Sequence, residues 1–197
     1  MEIYDAMQER RSIYNLGKNK IISEGRVQEI VSFALTHVPS AFNSQSARVL
    51  LLFGEESSKF WSLTKDVLEK IVPADAFEKT REKLDGFDSG FGTLLFFEDQ
   101  NVVNKLAKDF SLYAEHFPLW SLQSSGMLQY AIWTSLASEG IGASLQHYNP
   151  LVDEAVRKTW QIPESWKLLS QMPFGSVEAK ADEKKSLPLD ERLWVRK

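Results

Sequence analysis

The side chains able to do covalent or metal chemistry are few in this sequence. Cysteine is absent, which excludes disulfides, thiolate metal sites and thiol nucleophiles. The 3 histidines, His37, His116 and His147, lack the spacing of metal ligands, so we expect no metal site. Neither a phosphate-binding G-x-x-x-x-G-K-S/T loop nor a G-x-S-x-G nucleophile elbow occurs. Chemistry beyond the reach of these groups would have to come from a bound cofactor.

Three charged residues are candidates for a role in such a site. Glu98 and Asp99 follow an apolar run, and residues at the end of a strand are more often solvated than catalytic, so we expect solvated side chains. Arg10 falls on the apolar stripe of a helix predicted over residues 2–10. Spacing alone favours a side chain that extends along the surface to solvent near the helix C-terminus.

Hydrophobic periodicity predicts the elements that would position these groups. Helices are predicted over Glu24–His37, from Ser57 onward, over residues 73–84, over residues 124–138 and after Asn149-Pro150. Strands are predicted over Ala47–Phe53 and residues 93–97, 143–148 and 168–174. Residues 124–138 are apolar nearly all round, which indicates a central, buried helix. Helices outnumber strands and the strands are too far apart for a sandwich, so we expect an α+β layered fold.

Size and charge set broader limits. The 197 residues predict a single domain over residues 1–197. A net charge of −4 argues against a general nucleic-acid binder. The N-terminus has no apolar core of a signal peptide, and no apolar run reaches membrane-spanning length. We therefore expect a cytoplasmic protein without a membrane partner.

Four segments, taken in order, resemble the nitroreductase family of flavin enzymes over essentially the whole chain. They are R-R-S at 10–12, P-S-A-F-N-S-Q at 39–45, G-I-G-A-S-L-Q at 140–146, and Lys184 and Lys185 before L-P-L at 187–189. The second half, including FGTLLFFED, is similar to the subgroup named after a yeast fatty-acid-repression mutant.

The resemblance implies a specific architecture. It predicts a three-layer α-β-α fold, with a central mixed, mostly antiparallel sheet around a buried helix. It also predicts an intertwined homodimer, with one tightly bound FMN in each of two sites at the interface. The tail over residues 180–197 is expected to embrace the partner subunit.

The resemblance also implies which residues hold FMN. Arg10 and Ser12, with the adjacent Arg11, would hold the phosphate and the edge of the ring, because a nearly dianionic phosphate needs Arg or Lys donors. Either Lys184 or Lys185 would be the second phosphate clamp, and the resemblance does not choose between them.

Two further segments are expected at the flavin. The first would reach the flavin bound mainly by the partner subunit, and consists of Pro39, Ser40, Ala41, Asn43 and Gln45. Ala41 replaces a serine of the family motif, and Ser46-Ala47-Arg48 replaces the usual Pro-Trp. The second would lie on the N5 side of the ring, and consists of Ser144, Leu145, Gln146 and His147. Many members have Glu-Gly where this chain has Gln146-His147.

The implied function is transfer of two electrons from NADH or NADPH, through flavin N5, to a small aromatic acceptor of nitroaromatic or quinone type. No side chain is then expected to be catalytic, because the flavin carries the chemistry. The alternatives are a flavin-binding regulatory or stress-response protein (lipid, metal or oxidative stress) with incidental reductase activity, and an α+β binding protein without flavin. Aromatic residues in or near loops are candidates to roof the flavin: Phe42, Phe91, Phe110, Tyr113, Phe117 and Trp120.

Overall fold

The protein is described by a computed structural model over residues 2–197. The helices of these residues are α1 (Ile3–Glu9), α2 (Glu24–His37), α3 (Gly54–Glu69), α4 (Ala74–Asp88), α5 (Gln100–Asp109), α6 (Phe117–Ser138) and α7 (Asp153–Trp160). The strands are β1 (Leu16–Gly17), β2 (Ala47–Phe53), β3 (Gly92–Asp99), β4 (Gly142–Ala143) and β5 (Trp166–Val177). Short 3-10 helices lie at Ala41–Asn43 and Ser111–His116.

The strands form one sheet in the order β1-β5-β3-β2, with β4 also pairing with β5. All of its ladders are antiparallel, and parallel pairing in the described chain is confined to an isolated bridge between Ser12 and Ala143. Strand β3 is buried along nearly its whole length. Because successive side chains of a strand point to opposite faces, β3 contributes to a core on each side of the sheet.

Helices cover both faces of this sheet. On one face α2 and α6 pack Val27, Ile132 and Leu136 against Leu94 and Phe96. On the other face the core is built from α3, α4, α7 and the opposite side of β3, and its large members are Phe60, Trp61, Leu84, Val156, Leu95 and Phe97. The α+β, three-layer α-β-α fold class is thereby confirmed.

Two elements follow the sequence prediction to the residue, α2 and β2. The Ser23 hydroxyl caps α2 by accepting a hydrogen bond from the Arg26 amide at 3.0 Å. The helix stops at His37, shortly before Pro39, as the backbone restriction ahead of a proline predicts.

Helix α6 differs from its prediction in start and in burial. It begins at Phe117 with Pro118 in its first turn, and Ser124 lies inside it, donating its hydroxyl to the Trp120 carbonyl at 2.9 Å. One side is buried against α2 and the sheet. The other side exposes several large apolar residues in the single chain, namely Leu119, Leu122, Met127 and Tyr130.

Two further predictions need correction, and one helix was not predicted. The helix predicted directly after Asn149-Pro150 starts later, because α7 begins at Asp153 with Val152 at its N-cap. The strand predicted over residues 143–148 is reduced to β4 and a bridge from Gln146 to Gln171. Helix α5 has no counterpart in the prediction.

In the part of the chain described, no helix has both the length and the apolar character needed to cross a membrane.

Candidate functional site

The segment at residues 10–12 leaves α1 and runs directly to the sheet. The Ile13 amide donates to the Ala143 carbonyl at 2.9 Å, and Ser12 forms a parallel bridge with Ala143. This pairing brings two of the four segments singled out in the sequence side by side. Gly142 permits the approach, because a Cβ at that position would lie 3.0 Å from the Ile13 side chain.

Arg10 is a half-buried cation whose charge is not neutralised. Its guanidinium lies over the ring of Trp133, 4.5 Å from the centroid, and 5.8 Å from that of Tyr130. Within residues 2–197 it forms no ion pair with a carboxylate. Its Nε atom and the Nε1 atom of Trp133 are both buried without a hydrogen-bond partner. Unpartnered buried donors are costly, so this arrangement suits an anionic ligand with acceptor oxygens.

A basic cavity of about 500 Å³ lies beside Arg10. Its wall carries Arg10, Arg11, Lys180 and Lys184, and an adjoining cavity of about 580 Å³ shares all four. Arg11 fixes the tail there by donating to the carbonyl of Asp182 at 2.6 Å. We call this region the basic cavity.

The structure separates the two lysines that the sequence could not. Both side chains are exposed, but Lys184 lines the basic cavity and Lys185 is not part of its wall. Lys180 belongs to the cavity and was missed. The charge-rich stretch over residues 178–185 gave no reason to prefer it, because its position depends on where the tail crosses Arg11.

The segment at residues 144–147 points mostly into the protein. Ser144 and Gln146 are buried, and the Gln146 amide nitrogen donates to the Ser144 hydroxyl at 3.1 Å. Leu145 is half-buried and His147 is exposed. None of the four lines the basic cavity, whose wall is formed there by residues 140–142. Gly140 begins that stretch with a φ of +79°, a conformation that suits glycine after a helix end.

The loop at residues 39–45 is strained. Phe42, Asn43 and Gln45 have φ angles of +55°, +50° and +48°. Each such residue costs on the order of 1–2 kcal/mol, less for asparagine, so the surroundings must hold the loop in place. Within it the Gln45 amide donates to the Ser40 hydroxyl at 3.0 Å. On the α6 side the Ala41 amide donates to the Ser124 hydroxyl at 3.3 Å. We call residues 39–45 the strained loop.

Phe42 is the centre of an aromatic cluster at the start of α6. Its ring centroid lies 4.9 Å from Phe110, 5.2 Å from Phe117, 6.0 Å from Trp120 and 6.1 Å from Tyr113. Phe42, Trp120 and Met127 line an open, largely apolar cavity of about 430 Å³, which we call the aromatic cavity. Phe91, the remaining candidate to roof the flavin, does not belong to this cluster. It packs against Phe53 and Phe174 in the core beside the sheet.

Within one chain the strained loop and the basic cavity do not meet. They lie at different stretches of α6, because the loop contacts Ser124 whereas Arg10 lies over Trp133. At a rise of about 1.5 Å per residue, these positions are about 14 Å apart along the helix axis.

Glu98 overturns the expectation of a solvated strand end. Its side chain is 1% exposed, and its Oε2 accepts hydrogen bonds from Ser46 at 2.5 Å and Ser121 at 3.0 Å. Burial raises the pKa of this carboxyl, and the two hydroxyl donors and the Arg48 charge offset part of the shift. The alternation of β3 could have shown this, because position 98 shares the α6 face with Leu94 and Phe96.

The two residues beside Glu98 in space are tied to structure rather than to a ligand. Asp99 accepts a hydrogen bond from the Asn101 amide at 3.1 Å and caps α5. Arg48 pairs with Asp99 at 3.1 Å and donates to the Gln45 carbonyl at 2.8 Å. Arg48, which belongs to the Ser46-Ala47-Arg48 stretch that departs from the family's Pro-Trp, therefore braces the strained loop.

Comparison with known proteins identifies relatives of this chain. The family model described as Nitroreductase family matches residues 7–176. HBN1 of Saccharomyces cerevisiae is 35% identical over 188 residues, covering 94% of this chain and 93% of the relative. The nitroreductase FRM2 of the same yeast is 33% identical over 182 residues, covering 91% and 90%. Nitroreductase CinD from Lactococcus lactis, solved in complex with nicotinic acid, superposes with a TM-score of 0.93 at 48% identity, with all of both chains covered.

Proposed function

The chain belongs to the nitroreductase family, and we propose that it is an FMN-dependent enzyme that passes two electrons from NADH or NADPH to nitroaromatic or quinone-type acceptors. The family match and the yeast relatives support an oxidoreductase of the nitroreductase type, in the subgroup that includes FRM2. When bound, FMN supplies the two-electron chemistry for which the chain has no groups of its own. The observation that carries the proposal is the basic cavity, with its unneutralised Arg10.

The basic cavity fits a phosphate group. Arg10, Lys180 and Lys184, none of which forms an ion pair in the described part of the chain, bring three charges to one wall that Ser12 also lines. Arg10 offers a guanidinium held in place by its stacking on Trp133, so less freedom is lost when it binds an oxyanion. Lys184, and not Lys185, is assigned as the second clamp, with Lys180 as a third. Arg11 fixes the tail that carries both.

A second subunit is part of the proposal. The strained loop offers the amides of Asn43 and Gln45, but in its own chain it lies about 14 Å along α6 from the basic cavity. The exposed apolar side of α6 and the apolar tail residues Leu187, Leu193 and Trp194 are surfaces that association would bury. A homodimer would let the loop of one chain complete the site of the other.

The aromatic cavity is assigned to the acceptor. Flat rings of Phe42 and Trp120, with Met127 beside them, favour a flat apolar ligand, and offset or edge contacts between rings add to the burial of area. The Lactococcus protein has been solved with chloramphenicol and with 4-nitrophenol, each at 46% identity to this chain and a TM-score of 0.91. These are ligands of that protein, and they guide the choice of test acceptors here.

The visible spectrum of the purified protein tests the proposal most directly. We expect flavin absorption at about one FMN per chain and bleaching on addition of NADH or NADPH under exclusion of oxygen. Oxidation of the nicotinamide should then accelerate when 4-nitrophenol, another nitroarene or a quinone is added. Light scattering should give the mass of two chains.

Two outcomes would count against this assignment in different ways. A colourless protein that takes up no added FMN removes every flavin-dependent function. Bound flavin with negligible turnover for both nicotinamides and all acceptors favours the regulatory alternative over the enzyme.

A further inference from the structure

The strained loop needs support from outside itself. Its internal hydrogen bonds are few, the main ones being the Asn43 amide to the Ser40 carbonyl at 2.9 Å and the Gln45 amide to the Ser40 hydroxyl at 3.0 Å. Residues with positive φ persist only where neighbouring structure over-determines them. Below the loop lies a small cavity of about 50 Å³, lined in part by Gln45, Ser46 and Glu98. The loop is therefore not held on this side by continuous apolar packing.

Glu98 links the end of this loop to the beginning of α6. Its carboxylate oxygen Oε2 accepts hydrogen bonds from both Ser46 and Ser121, which belong to different elements. Ser46 is 1% exposed and directly follows Gln45, whereas Ser121 directly follows Trp120 of the aromatic cavity. One buried side chain therefore contacts the residue that follows the strained loop and the residue that follows Trp120, although neither serine lines the aromatic cavity itself.

The donor and acceptor roles of the serine hydroxyls connect Glu98 to a residue inside the loop. Ser46 has one hydroxyl proton, and it is donated to Glu98. The contact between the hydroxyls of Ser44 and Ser46, at 3.2 Å, must then be donated by Ser44. The chain of donors runs from Ser44 through Ser46 to the carboxylate. Arg48 also restrains the loop, by donating a hydrogen bond to the Gln45 carbonyl.

We propose that Glu98 is the positioning residue of the strained loop, setting the place of Asn43 and Gln45 through Ser46 and the place of Trp120 through Ser121. Glu98 itself touches no ligand in this role. The inference rests on the proposed function in one respect only, which is that the loop contacts cofactor or acceptor. The hold on the loop is independent of that assignment.

Amide hydrogen exchange of the purified protein measures directly how strongly the loop conformation is stabilised. The reporters are the loop amides with hydrogen-bond partners, those of Asn43, Ser44 and Gln45 within the loop and that of Ala41, which donates to Ser124 of α6. Glu98→Ala and Ser46→Ala should each accelerate their exchange on the order of tenfold, the ratio that corresponds to one hydrogen bond of ordinary net strength. Glu98→Gln keeps an acceptor oxygen at the same place and should remain within about threefold of the parent protein.

Ser57→Ala is the matched control. Ser57 is also a buried serine, and its hydroxyl lies 2.8 Å from that of Thr93 on the opposite face of the sheet. It should leave the exchange of the loop unchanged. The proposal is overturned if the loop amides exchange equally fast in Ser57→Ala and Glu98→Ala, or if Glu98→Ala leaves them as slow as in the parent.

Kinetics with 4-nitrophenol and flavin retention on gel filtration separate this inference from the proposed function. For Glu98→Ala we expect the KM of the nitroarene to rise several-fold more than kcat falls, with recovery in Glu98→Gln. Faster loop exchange with unchanged KM and unchanged flavin retention supports the positioning role and counts against the ligand contacts proposed for the loop. Unchanged exchange with altered KM overturns the positioning role and leaves the proposed function standing.

Discussion

The basic cavity and the strained loop lie along the same helix and are built on opposite principles. At the basic cavity, charge is left without partners, since Arg10 has an unpartnered buried nitrogen and forms no ion pair within residues 2–197. At the strained loop, the charged groups have partners within the chain: Arg48 pairs with Asp99, and the Oε2 atom of Glu98 accepts from two serine hydroxyls, while its Oε1 atom is buried without a partner among the described residues. In the proposed function the first receives a charged ligand, whereas the contacts of the second stay within the chain and hold a backbone conformation that most residues avoid.

The largest effect should come from removing the central charge of the basic cavity. Arg10→Ala should weaken FMN binding by about 10–100-fold, because a charge-assisted hydrogen bond contributes roughly 1.5–3 kcal/mol. Titration of flavin fluorescence with apoprotein measures it. Arg81→Ala, at an exposed position of α4 paired with Glu78, is the matched control and should not change the affinity. An Arg10→Ala protein that retains parental affinity would remove Arg10 from the site.

A second prediction concerns packing at the strained loop. Phe42→Ala should lower the free energy of unfolding by about 1–2 kcal/mol, because a half-exposed ring loses part of its burial and its aromatic partners while the strain at its backbone remains. Urea unfolding measures this. Ile71→Ala, at a residue 55% exposed after α3, should change the free energy by less than about 0.5 kcal/mol. Equal losses in the two variants would contradict the proposed strain and packing.

The three lysines of the tail are expected to contribute unequally to FMN binding at the basic cavity. Lys180→Ala and Lys184→Ala should each weaken FMN binding a few-fold, and Lys185→Ala should leave it unchanged, because only the first two line the cavity. The losses should shrink between low and high salt as screening weakens the remaining attraction. If Lys185→Ala weakened FMN binding more than the other two variants, the path of the tail would have to differ from the one in this structure.

The smallest effect is a dependence of stability on pH that arises from Glu98, at the end of the strained loop. Burial raises the pKa of Glu98 above that of the unfolded chain, opposed by hydrogen bonds from Ser46 and Ser121 and by the charge of Arg48, and assisted by that of Asp99. A raised carboxyl pKa means that the folded state holds the proton more tightly. Its contribution to stability is therefore present in full below the unfolded pKa and is lost as pH rises through the folded pKa.

The comparison of the parent protein with Glu98→Gln isolates this contribution. Relative to Glu98→Gln, the parent should lose stability in urea unfolding as pH is raised from about 4.5, the ordinary value for glutamate, towards neutrality. A difference between the two proteins that stays constant over this range would show that Glu98 does not titrate on unfolding.

The elements that were predicted well are those whose signals are local. Helix α2 has a serine cap at Ser23, a periodic apolar stripe and a proline at 39 that ends it, and β2 is a continuous apolar run. The start of α6 was missed because Ser124 resembles a cap in sequence. In the structure its hydroxyl is used within the helix, which tertiary contacts with the strained loop stabilise.

The candidate site was only partly accessible from the sequence. Resemblance to the family pointed to Arg10 and Ser12, whereas periodicity alone favoured a surface role for Arg10. Lys180 and the choice of Lys184 over Lys185 depend on the path of an irregular tail, which no local pattern encodes. Glu98 was judged by its place at the end of a strand, and the face of β3 on which it lies decides its environment instead.

The hydrogen bond from Arg11 to the carbonyl of Asp182 anchors the tail and so determines how far the residues after it can reach. Residues beyond this anchor could extend about 50 Å at roughly 3.3 Å per residue, more than the length of α6, so they can reach across a second copy of the chain. The same tail carries Lys180 and Lys184 into the basic cavity. In the proposed dimer, phosphate binding and subunit association would then be linked equilibria, and each would strengthen the other by the same factor.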